Sequence, residues 1–338
     1  MSEAVQNFTG EKTMKILSID GGGIRGIIPA MILAEIEKRL GEQLHRVFDL
    51  IAGTSTGGII TLAVGARSKG DGPYRPGELA DMYVENGPEI FHKNVMTPLR
   101  MLLRPKYSAE PLERVLEEFF AETMFSTALT PLLISSYDIE AERPFFFKSH
   151  KILERKESEY DWRVREIARA TSAAPTYFPP ARLEKAGRAY ALVDGGVCVN
   201  NPAMAAFAEA CRLYRQAKHF VLVSAGTGDR ADHYPYHKAR KWGLLGWACK
   251  IVPVFMDSVS EAADYELDSI PACKFYRLQP PSLGPASNDI DDASISNLDN
   301  LQKVARKYIE SAGGKLDEIC DGLKTGRGST LTGTGLQR

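Results

Sequence analysis

The sequence has little cysteine, no charge bias and no long apolar run, and each lack removes a class of protein. Its five cysteines, Cys198, Cys211, Cys249, Cys273 and Cys320, are scattered, odd in number and free of any C-x-x-C pair. Neither a disulfide framework nor a zinc site is indicated. Lysine plus arginine totals 42 against 43 aspartate plus glutamate, so no global field recruits a nucleic acid polymer or an anionic membrane. Binding of either would need a local patch. No stretch approaches the roughly 20 apolar residues that span a bilayer. The segment Met1–Thr13 is polar and lacks the apolar h-region of a secretory leader, so the expected address is the cytoplasm. There is no internal repeat.

What is present is ordinary for a globular chain. The 338 residues are 44% hydrophobic and 25% charged, enough apolar side chain for one large core. Residues 14–321 are expected to form a single domain. A polar segment, 1–13, precedes it, and a Gly- and Thr-rich tail, 322–338, is expected to be mobile.

Short apolar runs alternate with helical spacing. Met14–Asp20 (MKILSID) reads as a buried strand entering a triple-glycine turn, followed by a helix at Pro29–Leu40, a strand at Phe48–Ala52 and a helix at Ile59–Val64. Leu112, Val115, Leu116, Phe119 and Phe120 form an amphipathic helical stripe. Further strands are expected at Leu132–Asp138, Pro144–Lys148, Tyr190–Asp194 and Phe220–Ser224. Helices are expected at Arg163–Ala173 and at Pro202–Tyr214, the second capped by Asn201. This alternation predicts an α/β fold with a mostly parallel central sheet covered on both faces.

Three glycine-bearing motifs sit at strand ends. Gly53-Thr54-Ser55-Thr56-Gly57 is a G-x-S-x-G between a strand and a helix. A serine on so sharp a turn exposes its Oγ, the flanking glycines let the backbone bend, and the helix N-terminus favours developing negative charge. The bland alternative is a glycine-rich turn without chemistry. Gly21-Gly22-Gly23-Ile24-Arg25-Gly26 fits G-x-G-x-x-G after the first strand. A dinucleotide fingerprint would want an acid at the end of the next strand, and Glu42 lies at a helix end instead, so that reading fails. The alternative is an oxyanion hole built on this loop (Gly21, Gly22, Gly23, Arg25, Gly26), with Arg25 adding charge or holding the loop; a packing turn is the bland reading.

Asp194-Gly195-Gly196 ends an expected strand of the same sheet, on the rim where parallel strands converge. An aspartate there can reach Ser55 directly. A free carboxylate with a pKa near 4 is a poor base, and desolvation beside an apolar pocket would raise it. The bland alternative is a turn-capping aspartate. His219, His233 and His237 all follow Asp194, the chain order of many Ser-Asp-His hydrolases. His219 begins a strand, at the wrong end for the site. His233 and His237 are spaced for a metal pair, but Pro235 between them breaks a helix. No metal and no cofactor are expected.

Together these residues resemble the patatin-like phospholipase family. The likeness rests on DGGGIRG at Asp20–Gly26, GTSTG at Gly53–Gly57 and DGG at Asp194–Gly196, supported by ATSAAPTYFPP at 170–180, DGGVCVNNP at 194–202 and SAGTG at 224–228. It covers residues 14–228, and three ordered motifs are far more specific than one. The resemblance implies a three-layer α/β/α fold, a Ser-Asp dyad without catalytic histidine, and hydrolysis of fatty-acyl esters in phospholipid or another lipid. Carried over by position, Ser55 is the nucleophile, Asp194 the base, and backbone N–H groups around Gly22, Gly23 and Arg25 the oxyanion hole. Ala225 stands where the family would have leucine in an SLGTG-like turn.

Some bacterial members are antiviral effectors that degrade membrane phospholipid only once a cyclic nucleotide binds, a second reading that residues 67–107 and 229–338 leave room for. A non-catalytic storage or binding protein of the same fold is a third. Access to the lipid raises one more question. Trp242–Met256 (WGLLGWACKIVPVFM) carries one charge in fifteen residues, is too short to span a bilayer, and is interrupted by Pro253. Core packing of a crossover segment is the default expectation; a membrane-contacting surface or a flap over an acyl pocket is the alternative. Met96–Leu103 (MTPLRMLL) poses the same question.

Overall fold

The computed structural model describes residues 13–67, 72–92, 104–155, 161–230, 234–248 and 250–324. Residues 1–12, His233, Cys249, Met96–Leu103 and 325–338 lie outside the described residues.

One eight-stranded sheet organises the chain: β1 (Thr13–Ile19), β2 (Leu50–Thr54), β3 (Leu132–Asp138), β4 (Arg143–Lys148), β5 (Ala181–Lys185), β6 (Arg188–Asp194), β7 (His219–Ala225) and β8 (Cys273–Leu278). The block β3-β2-β1-β7-β8 is parallel throughout, with β1 at its centre. β4, β5 and β6 join antiparallel. The sheet is therefore mixed: a parallel block, of which β1, β2, β3 and β7 were expected from the sequence and β8 was not, and an antiparallel wing.

Alternation along the strands sends side chains to two covered faces. Leu17 and Ile19 of β1, with Ile51 of β2 and Val221 and Val223 of β7, belong to the larger core. Over it pack α1 (Ile27–Leu40), α2 (Thr56–Gly65), α3 (Pro76–Ile90), α4 (Glu110–Phe120) and α5 (Val164–Thr171). Met14, Ile16, Leu50, Ala52 and Leu222 face the other way, against Ala203, Ala206 and Ala210 of α6 (Ala203–Leu213) and Leu267 of α7 (Ile251–Asp268). This is the three-layer α/β/α arrangement. Small alanines on α6 let that helix lie close to the sheet.

Several boundaries shift for local reasons. α1 starts at Ile27, two residues before Pro29, because a 3₁₀ turn at Gly23–Gly26 feeds straight into it. Asn201 supports α6 as expected, its Oδ1 accepting the Ala203 N–H at 3.0 Å. α8 (Ile295–Ser311) and α9 (Gly313–Lys324) close the larger face. Gly322–Lys324, expected to open the mobile tail, instead form the last turn of α9, where Leu323 is 2% exposed.

Candidate active site

Ser55 sits at the junction of β2 and α2 with φ 54° and ψ −123°. That region is costly for a residue bearing a Cβ, on the order of 1–3 kcal/mol, and persists only where the surroundings impose it. They do so here through contacts made before and after the turn. The Ser55 N–H donates to Thr171 Oγ1 at 2.9 Å, and that hydroxyl donates onward to the Ser135 carbonyl at 2.7 Å. A Cβ on Gly57 would collide with the Ile19 carbonyl and one on Gly53 with the Gly57 carbonyl. Both glycines of the motif are thus demanded by the close approach of α2 to the sheet.

Asp194 meets this serine because two strands end head to head. β4 occupies one edge of β3 along Leu133–Asp138, so β2 and β6 share the other. β2 ends with Thr54 opposite Ser135, and β6, running the opposite way, ends with Asp194 opposite Ser136. The sequence reading placed Asp194 on a parallel strand, and this is a correction: its strand is antiparallel, and the shared edge of β3 brings it to the rim. Ser55 Oγ donates to Asp194 Oδ2 at 2.5 Å, while Asp194 Oδ1 accepts the Gly196 N–H at 2.7 Å. Burial pushes the Asp194 carboxyl up to about 7, although these two hydrogen bonds pull the other way.

The glycine loop lies beside the pair. Gly23 adopts φ 58°, and its Cα packs against the Ile290 carbonyl with no room for a side chain. The Gly21 N–H donates to the Asn200 carbonyl at 3.0 Å and the Arg25 N–H to the Gly22 carbonyl at 3.2 Å. Those two donors are occupied, which narrows the expected set of oxyanion donors. The N–H groups of Gly22 and Gly23 make no backbone hydrogen bond among the described residues, and both residues line the cavity above Ser55. Arg25 is buried with its Nε 3.5 Å from the Gly22 carbonyl, and burial lowers its guanidinium to about 10. It does not line the cavity. Gly26 abuts Thr56, and Gly195 abuts Ser135.

The cavity is apolar. Its inner end lies between α3 and α4, at Ile90, Leu112 and Leu116, all buried. Ser55, Asp194 and Gly22 lie along it, and Val197 and Val252, at 37% and 36% exposed, mark where it opens to solvent.

A family model for patatin-like phospholipase matches residues 17–207. Patatin-like protein 2 of Oryza sativa subsp. indica is 32% identical, the match covering 97% of this chain and 90% of that protein. The chain belongs to the patatin-like phospholipase family. Patatin-04/09 of Solanum tuberosum is also 32% identical, over 89% of this chain and 84% of its own length. The crystal structure of VipD from Legionella pneumophila aligns with 88% of this chain and 67% of its own at 13% identity and a TM-score of 0.36, too loose a likeness to argue from. Membership supports lipid hydrolysis as the class of activity.

The described histidines that follow Asp194 in this patatin-like chain stand apart from the serine. His219 begins β7 at the end of the sheet opposite Ser55, and His237 is exposed on the short helix Tyr236–Ala239. No histidine among the described residues lines the cavity. The described residues also hold no group of three metal-ligating side chains.

Three supports were not legible beforehand. Thr171 fixes the serine backbone; it falls inside the ATSAAP stretch, but nothing in that stretch says which hydroxyl points at Ser55. Asn200 holds Gly21, and its Nδ2 donates to Ser260 Oγ of α7 at 3.1 Å. Arg277 of β8 pairs with Asp20 at 2.6 Å and lies 2.9 Å from Asp264 of α7, bracing the aspartate that opens the glycine loop. Arg277 lies in the C-terminal third, where no motif signals it. The segment Trp242–Met256 requires a second correction: none of its residues whose side chains are described is buried, so these do not pack in the core as a crossover would. Pro253 does not interrupt a helix either, because α7 begins at Ile251 and proline in a first turn removes no helical hydrogen bond.

Proposed function

We propose that this chain hydrolyses fatty-acyl esters of phospholipid or a related lipid through an acyl-enzyme on Ser55, with Asp194 as general base. The observation that carries the reading is the 2.5 Å hydrogen bond from Ser55 Oγ to a buried carboxylate at the wall of an apolar cavity. Asp194 Oδ2 accepts the Ser55 proton as Oγ bonds to the ester carbonyl carbon. The carbonyl oxygen becomes an oxyanion facing the free N–H groups of Gly22 and Gly23, where each donor contributes about 3 kcal/mol to lowering the barrier. The C–O bond to the alcohol then breaks, and the alcohol leaves with the proton held by Asp194. Water repeats the sequence: its proton passes to Asp194, its oxygen adds to the acyl carbon, and the fatty acid departs as Ser55 recovers a proton.

A carboxylate with a pKa near 7 suits this role, since it is half ionised at neutral pH yet basic enough to draw the proton. The inner end between α3 and α4 would hold the acyl chain, and the exposed rim at Val197 and Val252 would face the head group.

The test is fatty-acid release from phospholipid vesicles by the wild type, Ser55→Ala and Asp194→Asn, with and without cyclic dinucleotide. Release by the wild type is expected to fall by several orders of magnitude in both variants. Full activity in Ser55→Ala would move the chemistry elsewhere. Release that requires the dinucleotide would favour the switched-effector reading. A properly folded wild type that releases nothing from any ester would leave a storage or binding protein.

A further inference from the structure

We propose that the face formed by Tyr236, Leu244, Trp247 and Phe255, with its neighbouring cations, docks this chain on an anionic phospholipid surface. That the docked surface feeds lipid to the cavity rests on the hydrolase reading above; the docking itself does not.

Several large apolar side chains stand in solvent here, close to the cavity mouth. Leu244 is 89% exposed, Tyr236 78%, Phe255 56% and Trp247 39%. Trp247 is held rather than loose. Trp242 packs edge-on between Tyr234 and Trp247, with ring centroids 5.2 and 5.1 Å away. Rigid presentation lowers the ordering cost of inserting a side chain. Tryptophan and tyrosine, with an apolar body and a polar tip, also match the chemistry of a membrane–water boundary.

Charge chooses the surface. From Tyr234 to Met256 there is no aspartate or glutamate, but there are Lys238, Arg240, Lys241 and Lys250. None of the four makes an ion pair among the described residues; Arg240 lies over the Tyr236 ring at 5.9 Å and Lys250 over the Trp242 ring at 5.2 Å. In a chain of net charge −1 this is a local basic patch interleaved with apolar side chains, the pattern that binds anionic interfaces. A second copy is a poor occupant, because a self-complementary contact would press two such sets of cations together. No helix among the described residues is long and apolar enough to cross a membrane, so the contact would be peripheral.

The patch is continuous with the cavity. Val252 and Met256 of α7 line the cavity, and Phe255 lies between them in sequence, exposed on the same helix. Docking through Leu244 and Phe255 would therefore set the cavity opening against the lipid surface.

The experiment measures sedimentation of the full chain, as Ser55→Ala, with vesicles of phosphatidylcholine alone or mixed with phosphatidylserine. The expected result is stronger binding to the mixed vesicles, weakened by salt. Lys238→Gln/Arg240→Gln/Lys241→Gln should lower that affinity roughly a hundredfold, at roughly fivefold per cation. Leu244→Ser/Phe255→Ser should lower binding to both vesicle types. In the Ser55 background these variants should lose release from vesicles but keep hydrolysis of a soluble short-chain ester, which also reports that they fold. Equal binding to neutral and anionic vesicles, unchanged binding in both variants, or a dimer in place of vesicle binding would overturn the proposal. Vesicle binding without hydrolysis by any chain would uphold docking and sink the hydrolase reading instead.

Discussion

The pH dependence of Asp194 tests the catalytic reading most directly. Its carboxyl rises from an ordinary 3.8 to about 7 because burial removes water from the charged form, against the pull of Ser55 and Gly196. If this group must be ionised to take the Ser55 proton, kcat/KM should follow the ionised fraction. It should rise about tenfold between pH 6 and pH 8 and level off above, with one ionisation near 7. A soluble short-chain ester is the substrate to use, since it keeps lipid-surface charge out of the profile. Stability must move in the opposite sense. The folded state holds this proton more tightly than the unfolded state, so the contribution is full below about 3.8 and is lost as pH rises through 7. The ceiling on that loss is about 4 kcal/mol, from roughly 1.4 kcal/mol per unit. Asp194→Asn should remove this slope. Relative to the wild type it should gain stability between pH 5 and pH 8 in urea titrations, while losing activity at every pH. A profile that is flat from pH 5 to pH 9, or that breaks near 4, would refute the assignment of Asp194 as the base.

Other perturbations probe separate links of the argument. Gly57→Ala forces a Cβ into the Ile19 carbonyl and should cost about 3 kcal/mol in chemical denaturation; a loss under about 1 kcal/mol would show that the elbow has slack. Leu116→Trp fills the inner end of the cavity, and should cut kcat/KM for a decanoyl ester at least ~10-fold relative to a butanoyl ester. An unchanged chain-length preference would place the acyl chain elsewhere. Arg277→Met leaves buried Asp20 and half-buried Asp264 without their shared cation and should destabilise by about 3 kcal/mol near neutral pH. Because two uncompensated carboxylates cause that loss, it should shrink as pH falls toward 4; a pH-independent loss would argue for packing alone.

The sequence made β1, β2, β3 and β7 and the strand–turn–helix at Ser55 readable because each is a local pattern, while β8 carried no motif and was not expected. MKILSID, GTSTG and DGG carry their strands and turns within a few residues. What escaped is set by long-range register. Nothing local to RAYALVD tells that β6 runs antiparallel, since both orientations accept the same apolar run. Arg277 finds Asp20 only because β8 pairs with β7, which pairs with β1. Trp242–Met256 misleads for a different reason. An apolar composition reads as core by default, and only placement at the edge of the cavity reveals a surface that remains wet.

The antiparallel course of β6 also gives a physical reason why two residues would suffice where many serine hydrolases use three. A carboxylate carried on a neighbouring parallel strand is displaced sideways by the strand spacing of about 4.8 Å, and in a Ser-His-Asp triad an imidazole between the two acts as the base. Here β2 and β6 terminate against consecutive residues of β3, so Ser55 and Asp194 face one another along a single edge with no strand between them. At 2.5 Å from Oγ to Oδ2 there is no space for an intervening ring. Direct contact then requires the carboxylate itself to be basic enough, and burial supplies that property against the pull of the Ser55 hydrogen bond: Asp194 lies at the wall of the apolar cavity proposed to take the acyl chain, where desolvation raises its pKa. Opening the cavity to water beside Asp194, as in Val197→Ser, should therefore lower the pH midpoint of kcat/KM and slow the reaction above it, as the base weakens. A midpoint that stayed near 7 would separate the basicity of Asp194 from its apolar surroundings.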